Sequence, residues 1–276
     1  MKKIIISILL ITLYGCNGQN GILKEFRYSN FETTVAKDLA YAIRDDNAEL
    51  IKSSISEKNV PMDISDPQYK MSLLALSIAN NKKNAFIALL ENGADVNQRF
   101  GIVNQFNALY LAIDYSNIYQ DCNDFYIKEL LKRGARATPL EYVTTKGQEV
   151  VFSPLFESIS ETNSKGERCI EISKLLLKYG ASLNEEETDA IGDNKIGLIE
   201  HCLTLKNLDF LEYMLKEKKI KAPKVAIIYG DIDPKTEVKM TITEALESDN
   251  YTDLINDEIK IKARKIVRYL KDTNQK

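Results

Sequence analysis

The sequence predicts an all-α repeat solenoid, a stack of about six helix–turn–helix units with β-hairpin fingers between some of them. A helix-ending phrase recurs as IALLENGADVN (87–97), LLKRGARAT (130–138) and LLLKYGASLN (175–184). Glycine one residue past a helix enters the left-handed region without a Cβ clash, so each phrase reads as a helix stop. An aliphatic slot recurs as well, at Leu39, Leu74, Leu109, Leu155, Ile199 and Ile242, spaced 35, 35, 46, 44 and 43 residues apart. Segments rich in β-branched and aromatic residues lengthen the later spacings, and their central turn residues mark them as hairpins.

The first unit, near 37–64, holds KDLAYAIRDDNAELIKSSISEK (37–58). Ser53 and Ser54 stand there where leucines recur elsewhere, and with Glu57 they make an end that faces water. SLLALSIA (72–79) and the helix and turn after it make the second unit, near 72–97. NALYLAID (107–114) opens the third, near 107–138, and SPLFESIS (153–160) the fourth, near 153–184. GLIEHCLTLKNLDFLEYML (197–215) runs through both helices of the fifth, near 197–222, without an insertion. MTITEALESDN (240–250) begins the sixth, near 240–272, which ends in IKIKARKIVRYL (259–270). The Lys/Arg-rich 260–268 stretch reads as a solvated face of a capping unit, and SDNYTDLINDEIK (248–260) is open between loop and helix.

These copies resemble the ankyrin repeat, a β-turn and two antiparallel helices built on a T-P-L-H-x-A first helix and about 33 residues long. The resemblance implies a stack in which each pair buries its apolar stripe against its neighbours, with stability summed over units and interfaces. It also implies a protein-binding scaffold, touching its partner through projecting fingers and through the variable residues after each first helix.

The chain begins MKKIIISILLITLYGC: two lysines, an apolar run from Ile4 to Leu13, then Gly15 and Cys16. A bilayer span takes roughly 20 apolar residues, so this run fits a secretory signal at 1–15 better than a transmembrane helix. LYGC at 13–16 resembles the lipobox of bacterial lipoproteins. The resemblance implies lipidation at Cys16, attachment to the cell envelope facing the periplasm or in the outer membrane, and a flexible leash through 16–30 before a repeat domain at 31–276. Which membrane and which face stay open.

The formal net charge of −3 offers no electrostatic footprint for nucleic acid. LEYVTTKGQEVVF (140–152) reads as a hairpin turning at Lys146-Gly147, and KVAIIYGDIDPKTEVKMTI (224–242) as another turning within Gly230 to Pro234. RFGIVNQF (99–106) is a shorter candidate finger. By the ankyrin resemblance, Phe100, Tyr142, Lys146, Phe152 and Tyr229 become partner-contact candidates; the alternative is that these aromatics pack back onto the next repeat. Asp114, Tyr115 and Glu161 follow from the variable positions, and two acids with one aromatic suit a basic patch on a protein partner.

Longer loops in units three and four, YSNIYQDCND (115–124) and SETNSKGERC (160–169), carry Cys122 and Cys169. Packed helices sit about 8–10 Å apart and a disulfide needs Cα atoms within about 7 Å. Two separate thiols are therefore the expectation unless the loops bend together. Cys202 reads as a buried thiol. His201, the only histidine, falls in a leucine slot as a half-buried packing residue. No phosphate-loop, nucleophile-elbow or zinc-helix motif occurs. Catalytic residues, metal and cofactor are expected to be none, and a monomer is expected. The expected partner is an unidentified protein, as for an immunity protein that neutralises a toxin. Envelope stress protection or structure is an alternative. An enzyme using Asp121, Cys122, Asp124 and Cys169 is the rival from another class.

Overall fold

The computed structural model describes residues 24–103, 105–116, 122–161, 168–188, 195–224, 226–229, 237–248 and 257–273. The predicted signal segment and Cys16 lie outside these residues, as do Asp121, the predicted turn at 230–234 and most of the 248–260 segment. The described chain is mostly helical and falls into two compact units, 24–182 and 183–273.

In the first unit, helices α1 (Lys37–Arg44), α2 (Ala48–Lys58), α3 (Leu73–Ala79), α4 (Lys83–Glu91), α5 (Ala108–Asp114), α6 (Phe125–Lys132), α7 (Pro154–Ser160) and α8 (Ile170–Lys178) pair in order. Each first helix lies against the next, α1 on α3, α3 on α5 and α5 on α7. Caps start them where the sequence supplies short polar side chains. Ser72 Oγ accepts from the Ala75 N–H at 3.1 Å, Asn107 Oδ1 from Tyr110 at 2.8 Å, and Ser153 Oγ from Leu155 at 3.1 Å. Among the second helices of this unit, α2 uses Asn47, whose Oδ1 accepts from Leu50 at 3.0 Å, whereas α4, α6 and α8 start without a side-chain cap.

The glycine phrases are helix stops. Gly93, Gly134 and Gly180 take φ of +90°, +89° and +102°, and a Cβ there would meet nothing within 4 Å. Backbone torsion, not space, is what asks for glycine. Asn59 fills the same place after α2 at φ 49°. The interior is aliphatic where the slot predicts it: Leu39, Leu109 and Leu155 are fully buried and Leu74 nearly so. Helix α2 buries only Ile51, as a water-facing end should.

The folded part starts earlier than the predicted leash allows. Short turns at Lys24–Phe26 and Tyr28–Phe31 bury Phe26 and Phe31. The Phe26 ring meets Tyr115 edge-on at 6.0 Å, and Asn80 Nδ2 donates to the Phe26 carbonyl at 3.1 Å. Two phenylalanines with an apolar surface to cover keep these residues on the helices.

Between α6 and α7, strands β1 (Leu140–Val143) and β2 (Glu149–Phe152) form the antiparallel hairpin, with Leu140 opposite Phe152 and Gly147 at φ +80° in the turn. RFGIVNQF closes by a single bridge between Phe100 and Phe106.

The second unit contains β3 (Glu186–Thr188), β4 (Lys195–Gly197), α9 (Leu198–Thr204), α10 (Leu208–Glu212) running into a π turn (Tyr213–Glu217), β5 (Ala226–Tyr229), β6 (Glu237–Met240), α11 (Ile242–Glu247) and α12 (Asp257–Asp272). The β5–β6 hairpin pairs Ala226 with Met240, as the 224–242 segment predicts. In the β3–β4 pair Glu186 and Glu187 stand opposite Gly197 and Ile196, with the Glu186 side chain exposed. Thr241 and Glu244 form a reciprocal capping box at α11. That cap shifts the sixth unit by one residue, so Thr243, not Ile242, matches the slot of Leu74. Cys202 is fully buried and His201 half-buried, as the slots predict.

Candidate partner-binding surface

Helix spacing brings acids together between α5 and α7. Residues four apart share a face of a helix. On α5 that face presents Tyr110 and Asp114; on α7 it presents Glu157 and, at the C-cap, Glu161. Because α5 lies against α7, the carboxylates of Asp114, Glu157 and Glu161 converge with oxygens within 4.8 Å of one another. Tyr110 Oη donates to Glu157 Oε2 at 2.7 Å. Burial, and after it the charge of Glu157, push the Asp114 carboxyl up from 3.8 to about 8. Burial also raises Glu157, against the lowering effect of the Tyr110 hydrogen bond. Like charges this close favour a retained proton or an outside cation. Three carboxylates are an all-oxygen donor set of the kind hard divalent cations take, and equally a seat for an ammonium or guanidinium.

Asp114 therefore gives a pH-dependent prediction. Between pH 3.8 and about 8 the folded protein keeps a proton that the unfolded chain has released. The associated stability is full below that window and is lost as pH rises through 8. Asp114→Asn removes the effect. Asp114 is half-buried, so, discounted for solvent screening, the variant gains about 1–2 kcal/mol over wild type between acidic and mildly alkaline pH. Urea midpoints at the two ends of the window check it, and parallel pH profiles for the two proteins contradict it.

An aromatic ladder adjoins the acids. Phe106 lies 5.5 Å from Tyr110, Tyr110 stacks on Phe152 at 5.6 Å, and Tyr142 lies 5.3 Å from Phe152. Arg99 Nη2 donates to the Glu141 carbonyl at 2.7 Å, tying the 99–106 loop to the hairpin. Of the sequence candidates, Lys146 is exposed at the hairpin turn and Tyr142 and Phe152 are half-buried. Phe100 and Tyr115 are inside, at 1% and 7% exposure. Both rings pack inward, as the alternative reading holds: Phe100 lies 6.2 Å from the Phe106 ring and Tyr115 6.0 Å from that of Phe26. Tyr229 lies on β5 by its backbone, and its side chain is outside the described atoms. The sequence reading misses Tyr110 and Glu157. A four-residue step back from Asp114 and Glu161 reaches both.

Cys122 and Cys169 are joined, with Cα atoms 5.5 Å apart, which corrects the expectation of separate thiols. The loops do bend. Cys122 adopts φ 67°, and Cys169 leads directly into α8. The Cys169 N–H donates to the Glu161 carbonyl at 3.1 Å, so the bridge and the acidic cluster share one strip of backbone. No protein-family model matches this chain, and no curated protein matches it.

Proposed function

We propose that this chain is a membrane-tethered ankyrin-repeat lipoprotein of a bacterial envelope that binds a basic surface of a protein partner. The convergence of Asp114, Glu157 and Glu161 carries the reading. These acids sit at and beside the positions that the ankyrin resemblance marks for partner contact, on neighbouring first helices. Recurrent caps and stops support a solenoid of about six units, and the β1–β2 hairpin with exposed Lys146 supports a projecting finger. The disulfide supports an oxidising compartment, in keeping with export through the 1–15 segment and lipidation at Cys16. It also weighs against the enzyme alternative, because a bridged sulfur offers no thiolate nucleophile. Neutralising a toxin is one concrete form of this role; envelope stress protection is another.

Pull-down from the native envelope with the mature chain tests it. The wild type retains one dominant protein, and Asp114→Lys with Glu161→Lys weakens that binding by at least about thirtyfold, the loss that follows reversal of a central charge contact. Equal recovery by both forms, with both folded by circular dichroism, overturns the assignment of the acids. Cys16→Ser separately moves the protein out of the membrane fraction, and unchanged fractionation contradicts the tether.

A further inference from the structure

We propose that the outward face of α12 docks on anionic lipid headgroups, with Arg264, Lys265 and Arg268 gathered around Ile261. Residues 261, 264, 265 and 268 follow the spacing that shares one helix face. The opposite face buries Ala263, Ile266, Val267 and Leu270. All three cations are exposed, and Ile261 among them is 51% exposed.

Two other cations of this helix, Lys262 and Lys271, are occupied. Lys262 pairs with Asp209 at 2.9 Å and with Glu258 at 2.9 Å, and Lys271 with Glu247 at 2.7 Å. Among the described residues, Arg264, Lys265 and Arg268 have no acidic partner within 4.0 Å. Asp257 and Asp272 lie at the two ends of the face, away from its centre. The patch continues sideways. Tyr269 Oη donates to the Leu215 carbonyl at 3.1 Å, and Lys216 Nζ lies 5.5 Å from the centre of the Tyr269 ring. The lysine-rich segment after Lys216 thus begins beside α12, and its Lys218 and Lys219 are exposed.

Lipid fits this arrangement better than a polyanion in water. A bilayer interface matches cations to headgroup charge and also takes up an apolar side chain at their centre. Nucleic acid would leave Ile261 against phosphate, and the chain as a whole is acidic. The inference rests on the envelope reading for its setting, since a lipid-tethered domain stays close enough to the bilayer for a weak surface contact to be populated.

The test is cosedimentation of the unacylated chain, residues 17–276, with vesicles of phosphatidylcholine alone or mixed with phosphatidylglycerol. The wild type sediments with the mixed vesicles and not with the neutral ones. Arg264→Glu, Lys265→Glu and Arg268→Glu together reduce that partitioning by about a hundredfold, from about fivefold per cation. Arg264→Lys with Arg268→Lys retains it. Circular dichroism confirms the fold. If the reversal variant unfolds, added salt must release the wild type from the mixed vesicles, as screening requires. Wild-type binding to neither vesicle, or to duplex DNA as tightly as to mixed vesicles, or unchanged binding by a folded reversal variant, overturns the proposal. Those outcomes leave acylation of Cys16 untouched, whereas loss of acylation removes the tether and not the headgroup site.

Discussion

Replacing Cys122 and Cys169 together with serine lowers the unfolding free energy by about 3–4 kcal/mol. The bridge spans 47 residues, and closing a loop of that length removes about 4 kcal/mol of conformational entropy from the unfolded chain. For a protein of this size the loss moves the melting temperature by about 10 °C. Reductant should lower the wild type to the level of the double variant and leave the variant unchanged. Cys202 does not confuse the comparison, since it is fully buried and outside the bridge. A second consequence is local. The Cys169 N–H holds the Glu161 carbonyl, and Arg168 Nη1 donates to the Ser160 carbonyl at 2.8 Å. Without the bridge the backbone at Glu161 is held less firmly, so under the proposed function partner affinity falls along with stability. Urea titrations with and without reductant check the first effect; identical midpoints contradict it.

Asp66→Ala is expected to destabilise the fold by about 3–5 kcal/mol. Asp66 is completely buried. Its Oδ1 accepts from the N–H groups of Gln68 and Tyr69 at 2.9 and 2.7 Å, and its Oδ2 from Met71 at 2.7 Å. Alanine leaves these donors without their acceptor in the turn that delivers Ser72 to cap α3. An unmade buried hydrogen bond costs about 1–3 kcal/mol, more where the lost partner was charged. Asp66→Asn keeps one acceptor oxygen and is expected to lose about half as much, because an amide NH₂ cannot accept from Met71. Denaturation of both variants measures the difference, and equal loss in the two would show that the retained oxygen contributes nothing.

Much of the local structure is legible in the residues, for a common reason. The stops at Gly93, Gly134 and Gly180 and the 140–152 hairpin are each decided by atoms a few positions apart. Asp66 escapes that reading although its bonds are local. An aspartate before a loop is common, and only its burial makes it important.

The sequence by itself determined the helical character, the recurrence of helix pairs, two hairpins, and Asp114 and Glu161 as acids worth watching. Tertiary structure alone decided that these acids meet Glu157 under the Tyr110 hydroxyl, that Phe100 and Tyr115 turn inward, and that Cys122 reaches Cys169. Each of those outcomes depends on how far apart two helices or loops from different pairs come to rest. That distance is set by the packing of many side chains at once, and no short stretch of residues carries it.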